Sequence, residues 1–193
     1  MKTLVFILIC LLMIQCHKNN WTSSEKNIIE TQSPVLRVLT VNNVADSICL
    51  RKKSIPLSPD EINSNLYKQL AAKMIATVTS PEQDGVGIAG PQVGINRRVV
   101  AVQRFDKTEK PFVVYPNIRI IAKRGDVERG PEGCLSVPGR RGEVMRYKDI
   151  VISYTSPFTL RDTTENILGF TAVIFQHEID HLDGILYTDK LSE

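Results

Sequence analysis

The longest unbroken apolar run opens the chain: every residue from Leu4 to Ile14 is apolar, with Lys2 as the one basic residue before it. The run is about a third shorter than a membrane-spanning helix needs, and it fits the apolar core of a secretion signal. Polar residues follow. From 17 to 35, Asn, Ser, Thr and Lys are frequent and read as a tether. From there the periodicities change. "LRVLTVN" (36–42) alternates with the period of a strand. Beyond Ser58, Ile62, Leu66, Leu70 and Met74 recur every four residues and mark the buried face of one helix. Ser58 can cap that helix, with Pro59 at its first position and Glu61 three residues after the cap. "RRVVAVQRF" (97–105) and "FVVYPNIRII" (112–121) read as strands, the second interrupted at Pro116. "GRRGEVMRYKDIVISYTS" (139–156) reads as two strands with a turn near Tyr147-Lys148-Asp149. "ENILGFTAVIFQHEIDHLDGIL" (165–186) begins as a strand end and continues as a long helix, which Gly184 can end in a left-handed conformation. A helix, then many strands, then a helix is the order of an α+β fold with antiparallel sheets around a C-terminal helix.

Length and charge narrow this picture only a little. The 193 residues suit one folded domain, placed at 36–193, behind a leader (1–16) and the tether (17–35). A net charge of +3 and basic runs as short as Arg51-Lys52-Lys53 and Arg140-Arg141 describe solvated faces and exclude a nucleic-acid surface. Cys16, at the end of the apolar run, resembles the lipidated cysteine of a bacterial lipoprotein signal, although Met13 and Gln15 depart from that pattern. The expected location is therefore the cell envelope, with possible anchoring through the N-terminus. Only Cys49 and Cys134 then remain in the folded body, and an exported location permits a disulfide between them unless Cys134 has another task.

The chemistry concentrates in three short segments. "QHEIDH" (176–181) places His177 and His181 four positions apart, on one face of a helix, with Glu178 beside the first. Two such imidazoles can reach one metal ion, and the glutamate can face a water on it. The competing reading is a polar surface helix. The apolar "FTAVIF" before the motif argues against it, because burying two histidines and a glutamate without a partner is costly. A catalytic centre of this type takes three protein ligands. The one other histidine, His17, lies in the tether, so the third ligand must be Cys, Asp or Glu. "PEGCLSVPG" (131–139) offers Cys134 in a turn, and a thiolate suits zinc or ferrous iron. "DGVGIAGPQVGI" (84–95) lacks the following helix and distant acidic residue of a nucleotide-binding loop. Its glycines instead suit a strand edge left open to an extended ligand, with the Gln92 amide as a hydrogen-bond donor.

Taken together, "GVGIAGPQ" (85–92), "EGCLS" (132–136) and "QHEIDH" (176–181) resemble, in order, the three signature motifs of the peptide deformylase family, and Arg51 after "DSICL" resembles an early motif of that family. The resemblance spans roughly residues 40 to 191. It implies that Cys134, His177 and His181 hold one divalent metal ion, Fe2+ by family habit, with Zn2+, Ni2+ and Co2+ compatible. It implies hydrolysis of the N-formyl group of N-formylmethionyl peptides or nascent chains, with Glu178 as acid–base and Gln92 and the Leu135 N–H as oxyanion donors. The peptide is expected to lie extended along Val86, Gly87 and Ile88, near Gly133, with methionine in a pocket that includes Val173 and Ile174. Glu132 is expected to pair with Arg146 in support of the Cys134 turn. A monomer is expected.

Several positions depart from the family pattern. Gly90 replaces a common alanine and Ile88 a common leucine. No long C-terminal helix follows, so ribosome docking through such a helix is not expected. Deformylation of nascent chains is cytoplasmic by family default, which the leader contradicts. Two other functions fit parts of the sequence: a zincin-like peptidase, which would place its third ligand downstream, and an envelope-anchored, non-catalytic peptide-binding homologue.

Overall fold

The computed structural model describes residues 21–192. The leader and its cysteine lie outside them. Residues 21–35, read above as part of a tether, are folded. Helix α1 (Ser23–Ile29) is closed by a capping box in which Thr22 and Glu25 satisfy each other's backbone N–H groups. Trp21 and Ile29 are buried, and Trp21 Nε1 donates to Ser64 Oγ at 3.4 Å. The polar composition concealed this because only Trp21 and Ile29 are buried here, with Ile28 packed part-way against the same core.

Residues 36–42 form no strand. Leu36 N donates to Thr77 Oγ1, Leu39 N to the Gln92 carbonyl and Val41 N to the Ser136 carbonyl, so the alternating segment is spread over three different elements. Helix α2 (Val44–Leu50) follows. The single helix expected after Ser58 is two: α3 (Pro59–Ile62), with the expected Ser58–Glu61 capping box, and α4 (Asn65–Val78), which Ser64 caps. Ser64 Oγ accepts from Tyr67 N and so restarts the helix, while the four-residue rhythm continues through buried Ile62, Leu70 and Met74.

Two antiparallel three-stranded sheets come next. The first is β1 (Gly87–Ala89), β2 (Val99–Gln103) and β3 (Phe112–Pro116), with β1 at its edge. Strand β2 is apolar at both parities because both its faces are buried. Val99 and Ala101 pack with Ile88, α1 and α4, whereas Val100 and Val102 pack with Tyr115, Phe175 and Ile179 on the other side. The second sheet is β4 (Arg119–Cys134), β5 (Val137–Thr155) and β6 (Asp162–Leu168). Residues 139–156 were expected as two strands, but β5 is continuous for 19 residues. Tyr147 pairs with Val127, and Asp149 pairs with both Arg124 and Leu168. The polar stretch marks where a two-stranded ribbon gains its third strand, not a turn.

Helix α5 (Gly169–Leu182) then packs between the sheets, with Ala172, Phe175 and Ile179 against residues of β2, β3, β5 and β6. Gly184 ends it at φ +74°, as expected. Arg98 Nη1 ties Asp183, at the helix end, to the start of β2 at 2.7 Å. Cys49 and Cys134 are both free thiols, so the disulfide allowed above is absent; Cys49 Sγ lies 3.1 Å from Asn96 Oδ1. Among the described residues no helix is long and apolar enough to cross a membrane.

Because Ile29 is fully buried, Ile29→Ala is expected to destabilise the domain by about 2–5 kcal/mol in urea unfolding. A change within about 0.5 kcal/mol would restore the tether reading of this segment.

Candidate active site

Strands β4 and β5 form one long hairpin whose tip is Leu135–Ser136. Cys134 is the last residue of β4, at that tip. The tip is held from below, where Val41 N donates to the Ser136 carbonyl at 2.9 Å and Gln92 Nε2 to Ser136 Oγ at 3.2 Å. Gln92 itself sits in the helical turn Gly90–Val93, with its Oε1 fixed by Ala89 N at 2.8 Å and its Nε2 3.6 Å from Cys134 Sγ. The turn is tight: a Cβ at Gly90 would stand 2.5 Å from the Ile95 carbonyl oxygen. The departure at Gly90 thus fits a close backbone contact.

Helix α5 supplies the opposite side. The rings of His177 and His181 stand 5.0 Å apart, nearly perpendicular at 74°. Cys134 Sγ is 3.2 Å from His181 Nε2, and the ligand atoms of Cys134, His177 and His181 all lie within 4.8 Å of one another. These donors fit a divalent transition metal, since one sulfur and two imidazole nitrogens suit Zn2+ or Fe2+. His177 is oriented for it: Glu132 Oε2 lies 2.8 Å from His177 Nδ1 and leaves Nε2 to face the corner.

Glu132 is in turn gripped by Arg146 at 2.7 and 3.0 Å, as expected, and Arg146 also reaches Asp180 at 2.6 Å. Lys190 closes the chain on Asp180 at 2.6 and 2.7 Å. Burial opposes the charge on Glu132, but hydrogen bonds from His177 and Arg146 hold its carboxyl down at about 2. Glu178 is treated differently. Burial dominates there and pushes its carboxyl up to about 7, and its Oε2 has no partner among the described residues. It lies against the backbone of β1: a Cβ on Gly87 would be 2.5 Å from Glu178 Oε1 and would displace that carboxylate.

A cleft of about 420 Å³ opens over this corner. Val86 and Gly87 form one wall, Gly133 and Leu135 a second, and Val173 and Ile174 a third. Ile88 alone of the expected substrate residues turns away, its side chain fully buried on the α4 side of the sheet. Arg51 stands outside the cleft, bonded to Asp189 and to the Gly184 carbonyl, where it fastens the segment after α5.

Sequence reasoning missed four supports. Ser136 and Asp180 lie inside the motifs and were passed over as spacers. Gln176 holds α5 to β5 through the Tyr147 N–H and carbonyl. Tyr187 stacks on His177 at 6.1 Å and had no local signal.

A Cys-His-His corner with a buried carboxylate beside it, at the floor of an open cleft, defines the class: a metal-dependent hydrolase. Known proteins narrow this. The polypeptide deformylase family profile matches residues 35–193. The chain is 40% identical over 144 residues to the peptide deformylase of Finegoldia magna, covering 74% of this chain and 83% of that protein. It is 40% identical over 141 residues to that of Symbiobacterium thermophilum, covering 73% of this chain and 61% of that longer protein. Among solved structures, an actinonin-bound class I type b peptide deformylase from Acinetobacter baumannii superposes with a TM-score of 0.71 at 38% identity, over 83% of this chain and 100% of that one. The Thermotoga maritima peptide deformylase gives a TM-score of 0.71 at 32% identity, over 82% and 99%. The chain belongs to the peptide deformylase family.

Arg146→Met leaves Glu132 and Asp180 without their shared cation, and breaking such a buried arrangement is expected to cost about 3–5 kcal/mol in urea unfolding. A cost below about 1 kcal/mol would show that the network contributes little to the fold.

Proposed function

We propose that this chain removes the N-formyl group from N-formylmethionyl peptides and releases formate. In this reading Cys134, His177 and His181 hold one divalent ion, ferrous iron by family habit, with zinc, nickel and cobalt suited to the same donors. Bound there, the ion supplies Lewis acidity toward a water and the formyl oxygen. The protein does the rest. The open edge of β1 aligns an extended peptide through backbone hydrogen bonds, and the apolar wall of Val173 and Ile174 takes the methionine side chain. Glu178 accepts a proton from the attacking water as oxygen adds to the formyl carbon, and returns it to the amine nitrogen as the C–N bond breaks. The Gln92 Nε2–H and the Leu135 N–H are the donors for the developing oxyanion.

The observation that carries this reading is Glu178: its buried Oε2 has no partner, and its Oε1 lies against the edge strand, beside the Cys-His-His corner. A carboxylate spent on structure would be paired, as Glu132 is. A structural relative at 37% identity, the Acinetobacter baumannii enzyme, is bound to Met-Ala-Ser, which supports a peptide ligand for the cleft.

The leader enters the same proposal. Trp21 is already packed on the domain, so a lipid on Cys16 would hold the fold within about 17 Å of a bilayer. The enzyme would then act at the cell envelope on formylated peptides there. Cys16→Ala is expected to move the protein from the membrane to the soluble fraction, and an unprocessed, unlipidated N-terminus in the wild type, read by mass spectrometry, would contradict anchoring.

Formate release from formyl-Met-Ala by metal-loaded protein tests the reaction. Glu178→Ala should retain metal and lose about 10²–10⁴-fold in rate; unchanged activity would remove Glu178 from the mechanism. Cys134→Ser should lose most of its metal on dialysis, and full retention would exclude Cys134 as a ligand.

A further inference from the structure

The family profile begins at residue 35, and α1 lies before it. The helix is nevertheless fastened to the stretch of chain that carries Gln92. Arg97, buried at 2% exposure, is the fastening point. Its Nε and Nη2 donate to the two carboxylate oxygens of Glu25 at 2.6 and 3.0 Å, and its Nη1 donates to Glu61 Oε1 at 2.9 Å. The Trp21 ring lies against the same guanidinium, 5.2 Å from its centroid. Glu25 and Glu61 are also the capping-box glutamates of α1 and α3, so one buried cation joins two helix starts. One turn beyond Glu25, Ile28 covers Gly94: a Cβ there would stand 3.2 Å from Ile28 Cδ1.

Residues 94–97 in turn support the tight turn Gly90–Val93. Ile95 N donates to the Gly90 carbonyl at 2.9 Å. A Cβ on Gly90 would be 2.5 Å from the Ile95 carbonyl oxygen and 2.8 Å from that of Arg97. The turn therefore touches the backbone of 95 and 97 directly, while α1 grips the same short stretch at Gly94 and through the Arg97 side chain. Leu39 N, just after the N-terminal segment, donates to the Gln92 carbonyl at 2.8 Å. No residue of α1 lines the cleft. Its route to the reacting atoms runs through this backbone to Gln92.

We propose that α1 is a brace for the oxyanion donor, and that Glu25 and Arg97 are positioning residues that act on Gln92 through the 94–97 backbone. This inference rests on the deformylase reading, in which Gln92 donates to the developing oxyanion, and adds to that reaction a segment outside the family profile. The oxyanion forms only as oxygen adds to the formyl carbon, so a displaced donor weakens the transition state and not the binding of substrate. The brace therefore acts on kcat and leaves KM and metal binding alone. Without Glu25, Arg97 still has Glu61, so the domain keeps a buried ion pair and its fold.

The test is a double-mutant cycle on formate release from formyl-Met-Ala, with rates taken per bound metal. Glu25→Ala should lower kcat about tenfold, with KM and metal content unchanged. In a Gln92→Ala background the same substitution should change kcat by less than about twofold, because the group it positions is gone. Amide exchange across 90–97 should rise about tenfold in Glu25→Ala and stay unchanged across 177–181. Ile167→Val, which removes one methylene from the other core cluster, should keep the wild-type kcat. An unchanged kcat or unchanged exchange in Glu25→Ala, or an equal loss of kcat in both backgrounds, would overturn the brace. An equal fall in Ile167→Val would overturn it too, since the effect would then be general loosening. Wild-type protein that binds metal and releases no formate would overturn the deformylase reading, and the catalytic role of the brace with it.

Discussion

The Glu132 carboxylate joins the two halves of the site. It accepts from His177 on α5 and from Arg146 on β5, while sitting two residues before Cys134 on β4. A buried carboxylate in this position is stabilised only while both partners are present. The spacing between hairpin and helix is therefore fixed by charge as well as by packing, and the distance from Cys134 to His181 follows from it. Asp180 and Lys190 extend the same alternation of sign to the end of the described chain. Ligand geometry thus depends, through Glu132, on Arg146, Asp180 and Lys190, whose side chains bond to none of the three ligands.

The contrast between Glu132 and Glu178 shows how one helix and its neighbours handle two carboxylates differently. Glu132 has two cationic or donating partners and stays ionised down to about 2. Glu178, one residue along from the ligand that Glu132 orients, has burial and little else, and its carboxyl rises to about 7. A group poised there can take and give a proton near neutral pH. The glycine at 87 is part of this arrangement, because it lets β1 close over Glu178 without a side chain in the way.

The site was more legible in the sequence than the fold around it, for a physical reason. Metal-type chemistry needs rare residues at fixed spacing, and His177, Glu178 and His181 meet that need within one helical turn. Cys134 is one open candidate for the third ligand, and the roles of Cys134 and Gln92 are assigned only by the resemblance of all three motifs, in order, to the family. Local patterns did worse where tertiary context decides. The alternation at 36–42 is real, but its N–H groups go to Thr77, Gln92 and Ser136 instead of to one partner strand. Tyr147-Lys148-Asp149 has turn composition, yet pairing on both sides keeps it extended. The segment at 21–35 is polar by count and still folded, because Trp21, Ile28 and Ile29 anchor it, with Glu25 bonded to Arg97 at 2.6 Å. Ile88 shows the same limit from within a motif. Membership in the glycine segment suggested a substrate contact, whereas strand alternation turns its side chain toward α4.

The two ends of the cleft are built on different principles. At the floor, Gln92 is held by Ala89 and Ser136, and His177 by Glu132 and Tyr187, while Glu178 is packed against the β1 backbone. At the mouth, Phe170, Arg140 and Arg141 are exposed, and the two arginine side chains project from the β5 end of the hairpin. Rigid placement suits the part of a substrate that never changes, here a formyl group on methionine, because misplacement of the reacting atoms by about 1 Å is costly in rate. A looser, half-exposed rim suits the residues that differ from one peptide to the next.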